Sequence, residues 1–254
     1  MRTNSKAMQT ALLSIIPGVG QFKNGQKFKA GLFFAVFLIF LGEMLLFGGQ
    51  ALYNFVTLGS VPMEHNSLFL LIEGTLQVIV TVIFIIFWVL NIKDAYQVRQ
   101  SIEKGFPVAV TRKEFFNKLY EDGFAYLLTI PAYLVMIVAI IFPVMVTLFM
   151  AFTNYDFRHI PPANLIDWIG FSNFTNIFTL SSYRDTFVKV FSWTVIWTVL
   201  ATTLQITLGI LTAVVANQKF VKFRRVFGVI FLLPWAVPAF ITIMSFSNMF
   251  NDTA

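Results

Sequence analysis

No cysteine occurs among the 254 residues, and only two histidines, His65 and His159. The first absence excludes disulfides and thiolate metal sites. The second excludes a buried imidazole metal centre or catalytic triad, because both histidines fall in loops between apolar stretches. Charge is also scarce: Asp, Glu, Lys and Arg make up 12% of the chain, against 57% apolar residues and 31 phenylalanines. The sequence has no glycine-rich phosphate loop ending in Lys-Ser/Thr, no His-Glu-x-x-His and no nucleophile elbow. An apolar patch near the N-terminus has no small-residue cleavage site behind it, so a cleavable signal is not expected. These absences leave catalysis without its usual residues.

What is present is apolar length. Mean hydropathy is +0.77, more than a single soluble core of this size can hide. A hydrocarbon layer of roughly 30 Å takes about 20 apolar helical residues. Five stretches qualify: 30–49, 68–90, 125–150, 190–216 and 226–250. The third holds Pro131 and Pro143 and the fifth Pro234 and Pro238, which bundled membrane helices tolerate. The cations sort between these stretches. Fifteen of the eighteen Lys and Arg lie before residue 30, in 91–124 or in 217–225, while 50–67 has none. Arg158, Arg184 and Lys189 are the three on the other side. The positive-inside bias therefore places the N-terminus in the cytoplasm and the C-terminus outside. The net charge of +6 follows from these connections, where anionic lipid is a sufficient partner, and no nucleic-acid role is expected.

Segment 7–16 has apolar residues at helical spacing, is too short to span, and ends at Pro17-Gly18-Val19-Gly20; an interfacial or shallowly re-entrant helix is predicted. Linker 91–124 is predicted to carry an amphipathic helix around residues 113–120. Loop 151–189 is the one sizeable external piece, and its run Trp168-Ile169-Gly170-Phe171-Ser172-Asn173-Phe174 suits a membrane–water boundary. The sequons at Asn173 and Asn251 read as chance. Two acids, Glu43 and Glu73, enter apolar stretches at a similar depth, roughly 8–9 Å below the outer boundary by helix rise. Gln50 and Gln77 are their candidate hydrogen-bond partners. A proton or cation site is the sharper alternative, disfavoured by repulsion between two acids without a nearby cation.

In the fourth stretch Thr194, Thr198, Thr202, Gln205, Gly209 and Thr212 share one helix face. Two readings stand for this stripe: close helix packing, or the lining of a polar passage. The fifth carries Leu233-Pro234-Trp235-Ala236-Val237-Pro238-Ala239. Two prolines four apart remove donors from adjacent turns and bend or interrupt a helix, a recurring device at substrate sites in mid-membrane; a purely structural kink is the alternative. Beyond the bend, Ala239, Thr242, Ser245, Phe246 and Met249 share a face.

At these residues the chain resembles the permease subunits of binding-protein-dependent sugar ABC importers, and within them the larger maltose/maltodextrin permease subunit. The run 168–174, the basic connection 218–227, the Leu233–Pro238 motif with its continuation Asn248-Met249-Phe250-Asn251, and the leader Ile16-Pro17-Gly18-Val19-Gly20-Gln21-Phe22-x-Asn24-Gly25-Gln26 carry the likeness. The resemblance implies an all-α polytopic membrane fold with about five transmembrane helices, and partnership with a second permease subunit, two ATPase subunits and an extracellular sugar-binding protein. ATP and magnesium would be held by the ATPase subunits, and no cofactor is expected in this chain. The family's cytoplasmic coupling loop begins Glu-Ala-Ala, and none of the six glutamates is followed by Ala-Ala. The chain is thus expected to be the N-terminal part of a longer permease, a truncated form of the fold unable to couple to ATP hydrolysis. Ala239 occupies a position that carries a hydroxyl in some relatives, so sugar selectivity does not carry over.

The expected organisation is a cytoplasmic or interfacial segment 1–29, two accessory transmembrane helices with their basic linker over 30–124, a third helix and external loop over 125–189, and the start of the permease core over 190–254. Pro234, Trp235, Pro238, Ala239 and Thr242 are the candidate passage wall, with Thr198 and Gln205 behind them. The expected function is passage of sugar, maltose or maltodextrin, through a multi-pass protein of the cell membrane. A non-transporting membrane scaffold or assembly protein is the main alternative, and an intramembrane enzyme a weaker one.

Overall fold

A computed structural model describes residues 3–218, 224–236 and 238–250. Among them the regular structure is helical, with one isolated bridge between Thr153 and Trp168. The chain divides into two compact units, residues 1–176 and 177–254.

The first unit is built on three helices of membrane-crossing length, Lys27–Thr57, Ser67–Glu103 and Phe124–Met150. The first of them comprises α3 (Lys27–Glu43), a π-helical turn Met44–Gly48 and α4 (Gly49–Thr57). It stops at Leu58, a buried non-glycine residue in the left-handed region (φ 52°). The second is α5 (Ser67–Glu103), started by Asn66, whose Oδ1 accepts from the Leu68 and Phe69 amides at 3.1 and 3.3 Å. At 37 residues it runs about 55 Å, well beyond the hydrocarbon layer. The stretch 68–90 is therefore the first part of a longer helix, which residues 91–103 extend toward the cationic side. The two helices meet through phenylalanines. Phe40 and Phe84 stack at 3.7 Å, and Phe33 lies 5.2 Å from Phe87.

The projecting end of α5 is what the N-terminal segment binds. Helix α1 (Thr3–Leu13) and the short α2 (Val19–Lys23) pack against it. Ala7, Thr10, Ala11 and Ser14 are buried, and helix α1 lies against α5. Asn91, fully buried, bridges the turn: its Nδ2 donates to the Ser14 carbonyl at 2.7 Å and its Oδ1 accepts from the Gly18 amide at 3.3 Å. Gln21 donates to the Asn91 carbonyl (2.9 Å) and to Asp94 (3.1 Å), Asn24 to the Ala95 carbonyl (3.0 Å), and Trp88 to the Ile15 carbonyl (2.8 Å). Lys29 pairs with Asp94. Glycine is required twice here. Gly18 has φ +89°, and a Cβ on Gly20 would overlap the Ser14 hydroxyl and lie 2.7 Å from the Thr10 carbonyl oxygen. The Pro-Gly-x-Gly-Gln-x-x-Asn-Gly-Gln leader thus packs a tight turn against a helix, and amide side chains bond the backbone at the junction.

The third crossing comprises α7 (Phe124–Met136), a π turn Ile137–Ile141 and α8 (Phe142–Met150). Pro131 lies inside α7, and Pro143 opens α8 directly after the π turn. A wide turn before proline relieves its clash with the preceding carbonyl. The predicted linker helix is α6 (Arg112–Asp122), held by a full capping box between Thr111 and Glu114. The Val110 and Thr111 amides donate to Glu114 at 2.8 and 3.1 Å. They hold its carboxyl below its ordinary value of 4.5. A depressed carboxyl stabilises fully above the unfolded value and loses that effect as pH falls through the folded one. Amide exchange over 110–116 is therefore expected to quicken, beyond its intrinsic pH trend, on acidification below about pH 4.5. Glu114→Gln, which keeps an acceptor without a titrating charge, should abolish that pH step.

After the short helix α9 (Ser172–Thr179), α10 (Ser181–Ala216) in the second unit is the fourth helix among the described residues long and apolar enough to cross a membrane. The fifth predicted span is two shorter helices, α11 (Arg224–Ala236) and α12 (Ala239–Met249). Hydroxyls along the crossings of both units return to their own helices: Thr75 to the Leu71 carbonyl, Thr147 to Pro143, Thr194 to Val190 and Ser245 to Ile241, all at 2.7–2.9 Å. This removes the cost of a bare hydroxyl in lipid.

Candidate functional site

The break in the fifth span is the feature of the second unit that bears on a passage. Pro238 has φ −55° and ψ 128°, so the backbone turns extended there before α12 begins at Ala239. Pro234 remains inside α11. Of the two prolines, only the second coincides with the interruption. A proline with extended ψ ends one helix and starts the next, leaving the last carbonyls of the first half and the first amides of the second free for a ligand or water. Pro238, Ala239 and Thr242 are exposed. Pro234 and Trp235 are placed by their backbone in the last turn of α11, and their side chains lie outside the described residues. Asn251, named with the motif, also lies outside them.

Thr198 and Gln205 stand on α10, one above the other and exposed. Among the described residues, no atom beyond the helix's own neighbouring backbone lies within 4 Å of a Cβ built on Gly209, which shares their face. The stripe therefore does not pack against another helix among the described residues. No hydrogen bond joins one of the seven candidate residues to another among those described. The structure leaves two exposed polar faces, one on α10 and one on α12.

A second polar feature lies within the first unit. Gln77, nearly buried, donates to Glu43 at 3.2 Å. A Cβ on Gly48 would come within 3.1 Å of Glu43 Oε1 and closer still to the Gln77 amide. The π turn Met44–Gly48 begins at the residue after Glu43, so one widened turn and one glycine make room for a carboxylate–amide pair between two crossings. Sequence reasoning paired the acids with Gln77 and Gln50. Gln77 does bond Glu43, whereas Gln50 donates to Asn54 at 2.8 Å and Glu73 is exposed. The two acids do not share a site. The widened turn was not foreseen, and the Gly48-Gly49 pair after four bulky apolar residues was its local signal.

The external loop closes the outer end of this unit. Trp168 Nε1 donates to the Phe55 carbonyl at 3.1 Å, and its ring meets those of Phe55 and Phe149 edge to face at 5.3 and 6.4 Å. The Ile166 amide, on a fully buried residue, donates to Ser67 Oγ at 3.1 Å. Asn173 donates to the carbonyls of Ala151 and Thr153 at 2.9 and 2.8 Å. It caps the end of the third crossing, which gives this asparagine a structural role independent of its sequon. His65 accepts from the Ser60 and Val61 amides in a tight turn, and His159 bonds Asp156 at 2.8 Å. That bond is the main cause of the lowered Asp156 pKa. Among the described residues no cluster of three potential metal ligands occurs.

The helices define the class: an integral, multi-pass α-helical membrane protein. Within that class, sequence comparison places the chain beside sugar-transport permeases. It is 59% identical over 245 residues to the maltodextrin transport system permease protein MdxF of Bacillus subtilis, covering 96% of this chain and 56% of that protein. It is 54% identical over 245 residues to the maltodextrin transport system permease protein MalC of Streptococcus pneumoniae, with the same shares covered. The galactooligosaccharides transport system permease protein GanP of Bacillus subtilis is 44% identical over 95% of this chain and 58% of its own length. The chain thus spans a little over half the length of these curated relatives. No family model and no solved structure matches it. The likeness to sugar-importer permeases expected from the motifs is borne out.

Proposed function

We propose that the chain forms part of the permease subunit of an ATP-driven importer of maltodextrins, and that its second unit contributes to the wall of the passage. The observation that carries this is the 59% identity to a maltodextrin permease protein across 96% of the chain. A match spanning 96% of the chain takes in the connections as well as the apolar stretches, which general helix hydrophobicity does not require. The exposed faces of α10 and α12 support the reading, with Thr198 and Gln205 on one, Ala239 and Thr242 on the other, and Pro238 at the break. Hydroxyl, amide and small apolar groups beside free helix ends suit a sugar, which needs hydrogen bonds on its rim and apolar contact on its faces. The role of each residue is shape and polarity; ATP hydrolysis belongs to separate subunits. The partners are a second permease, the ATPases and an extracellular sugar-binding protein.

The absence of cysteine makes the test direct. Single cysteines at Thr198, Gln205, Ala239 and Thr242 are alkylated in membranes containing the partner subunits, with and without ATP, maltodextrin and its receptor. Labelling at Ala239 and Thr242 is expected to slow severalfold with sugar, while a cysteine at Met244, on the other face of α12, is unaffected. Equal rates at all four sites under every condition would remove them from the passage.

A further inference from the structure

We propose that Lys6, Lys23 and Arg99 form a binding site for a phosphate group at the cytoplasmic face, of the kind carried by anionic phospholipid. Docking of the leader on the end of α5 creates a small cavity of about 210 Å³, lined by Lys6, Gln9, Thr10, Lys23 and Arg99. The lining comes from three separate elements, α1, α2 and α5. Three cations converge on it, and no acid contributes to its wall. One acid supports it from outside: Glu103 accepts from Arg99 Nε at 3.4 Å, one turn further along α5. That contact restrains the guanidinium. The Thr10 hydroxyl donates to the Lys6 carbonyl at 3.0 Å, so the cations are left as the principal polar groups of the cavity.

Cations brought together by folding repel one another, and an unoccupied arrangement of this kind costs stability. A phosphate group of matching size removes the repulsion and accepts several charge-assisted hydrogen bonds at once. Position favours lipid as its source. Met8 and Leu12 on α1, and Ile15 and Ile16 in the turn after it, are each more than half exposed (56, 58, 52 and 52%). An apolar ridge on the same N-terminal segment as a cationic cavity, on the inner-leaflet side, brings that segment to the lipid surface where phosphate head groups lie.

The full chain is purified in detergent and incorporated in nanodiscs of mixed phosphatidylethanolamine and phosphatidylglycerol. Retained lipid is then read by native mass spectrometry for the unaltered protein, for K6Q/K23Q, and for K104Q/K113Q, which removes equal charge elsewhere on the same side. The double variant spares Arg99, so the Glu103 contact survives. Two lysines at about 1 kcal/mol each correspond to roughly a 30-fold loss of phosphatidylglycerol retention in K6Q/K23Q. K104Q/K113Q should retain it. A parallel arm titrates inorganic phosphate against thermal unfolding in lipid-free detergent. Stabilisation there that K6Q/K23Q alone loses, without selective lipid retention, identifies a soluble phosphate source. Equal lipid retention by all three proteins, together with an equal phosphate response, overturns the site.

Discussion

Asn91→Leu is expected to release the N-terminal segment from the second crossing. Leucine has the same branched heavy-atom skeleton as asparagine but neither of its polar atoms. The Gly18 amide and the Ser14 carbonyl would each lose a partner inside a buried junction. Each such group costs about 1–3 kcal/mol, so roughly 2–6 kcal/mol is expected for the pair. The loss should spread, because Gln21 and Asn24 reach neighbouring carbonyls of the same helix, and those bonds depend on the turn being seated. Ala11 is 7% exposed at the interface between α1 and α5. A single cysteine there should resist alkylation in the unaltered protein and react readily beside Asn91→Leu. Continued protection would show that apolar contacts alone hold the segment. Asn91→Asp, which keeps an acceptor for Gly18, should fall between the two.

Gly74→Val should have a comparable effect at the other end of the unit. A Cβ at position 74 would overlap the Phe55 Cβ and lie within 2.7 Å of its ring. The Cβ of Phe55 is fixed to the backbone of α4 and has no rotamer by which to yield, so the helices themselves must separate. Overpacking of this kind costs about 1–3 kcal/mol, and a β-branched residue against backbone belongs at the upper end. The displacement would be transmitted, since Phe55 packs on Phe149 at 5.0 Å and its carbonyl receives the Trp168 indole. Ile166, within the external loop, is fully buried and its amide donates to Ser67. A cysteine at Ile166 should be unreactive to impermeant reagents unless Gly74→Val is also present. Gly74→Ala should give the same direction with smaller amplitude. A loop that stays closed in both variants would show that it is anchored elsewhere, with Ser67 the first residue to examine.

The crossings were legible because hydropathy is a local, additive property of about 20 residues. Four of the five stretches chosen on that basis sit inside helices of crossing length, but the limits were set by other forces. Helix α5 runs to Glu103 because its polar end carries the docked leader, a partner more than 60 residues away in sequence. In the fifth stretch the Pro-x-x-x-Pro spacing announced an interruption without saying where. Only the backbone at Pro238 shows it, while Pro234 is accommodated within α11. The passage candidates were readable as polar positions on apolar helices. Exposure on α10 and α12 came from the structure, because whether a threonine stripe meets a helix or open space depends on neighbours that no local window contains.

The chain by itself determined its solvent and its threading. Apolar length selects a bilayer, and the side on which cations collect selects an orientation, since each residue contributes its own transfer energy with little reference to distant ones. Tertiary structure alone decided how the ends of the helices are secured: Asn91 under the leader, Gly74 against Phe55, Trp168 over the outer turns, and Glu43 with Gln77 beside a widened turn. Those choices depend on pairs of groups brought together across tens of residues. In a medium that cannot solvate a stray amide or carbonyl, the position of the partner sets the cost.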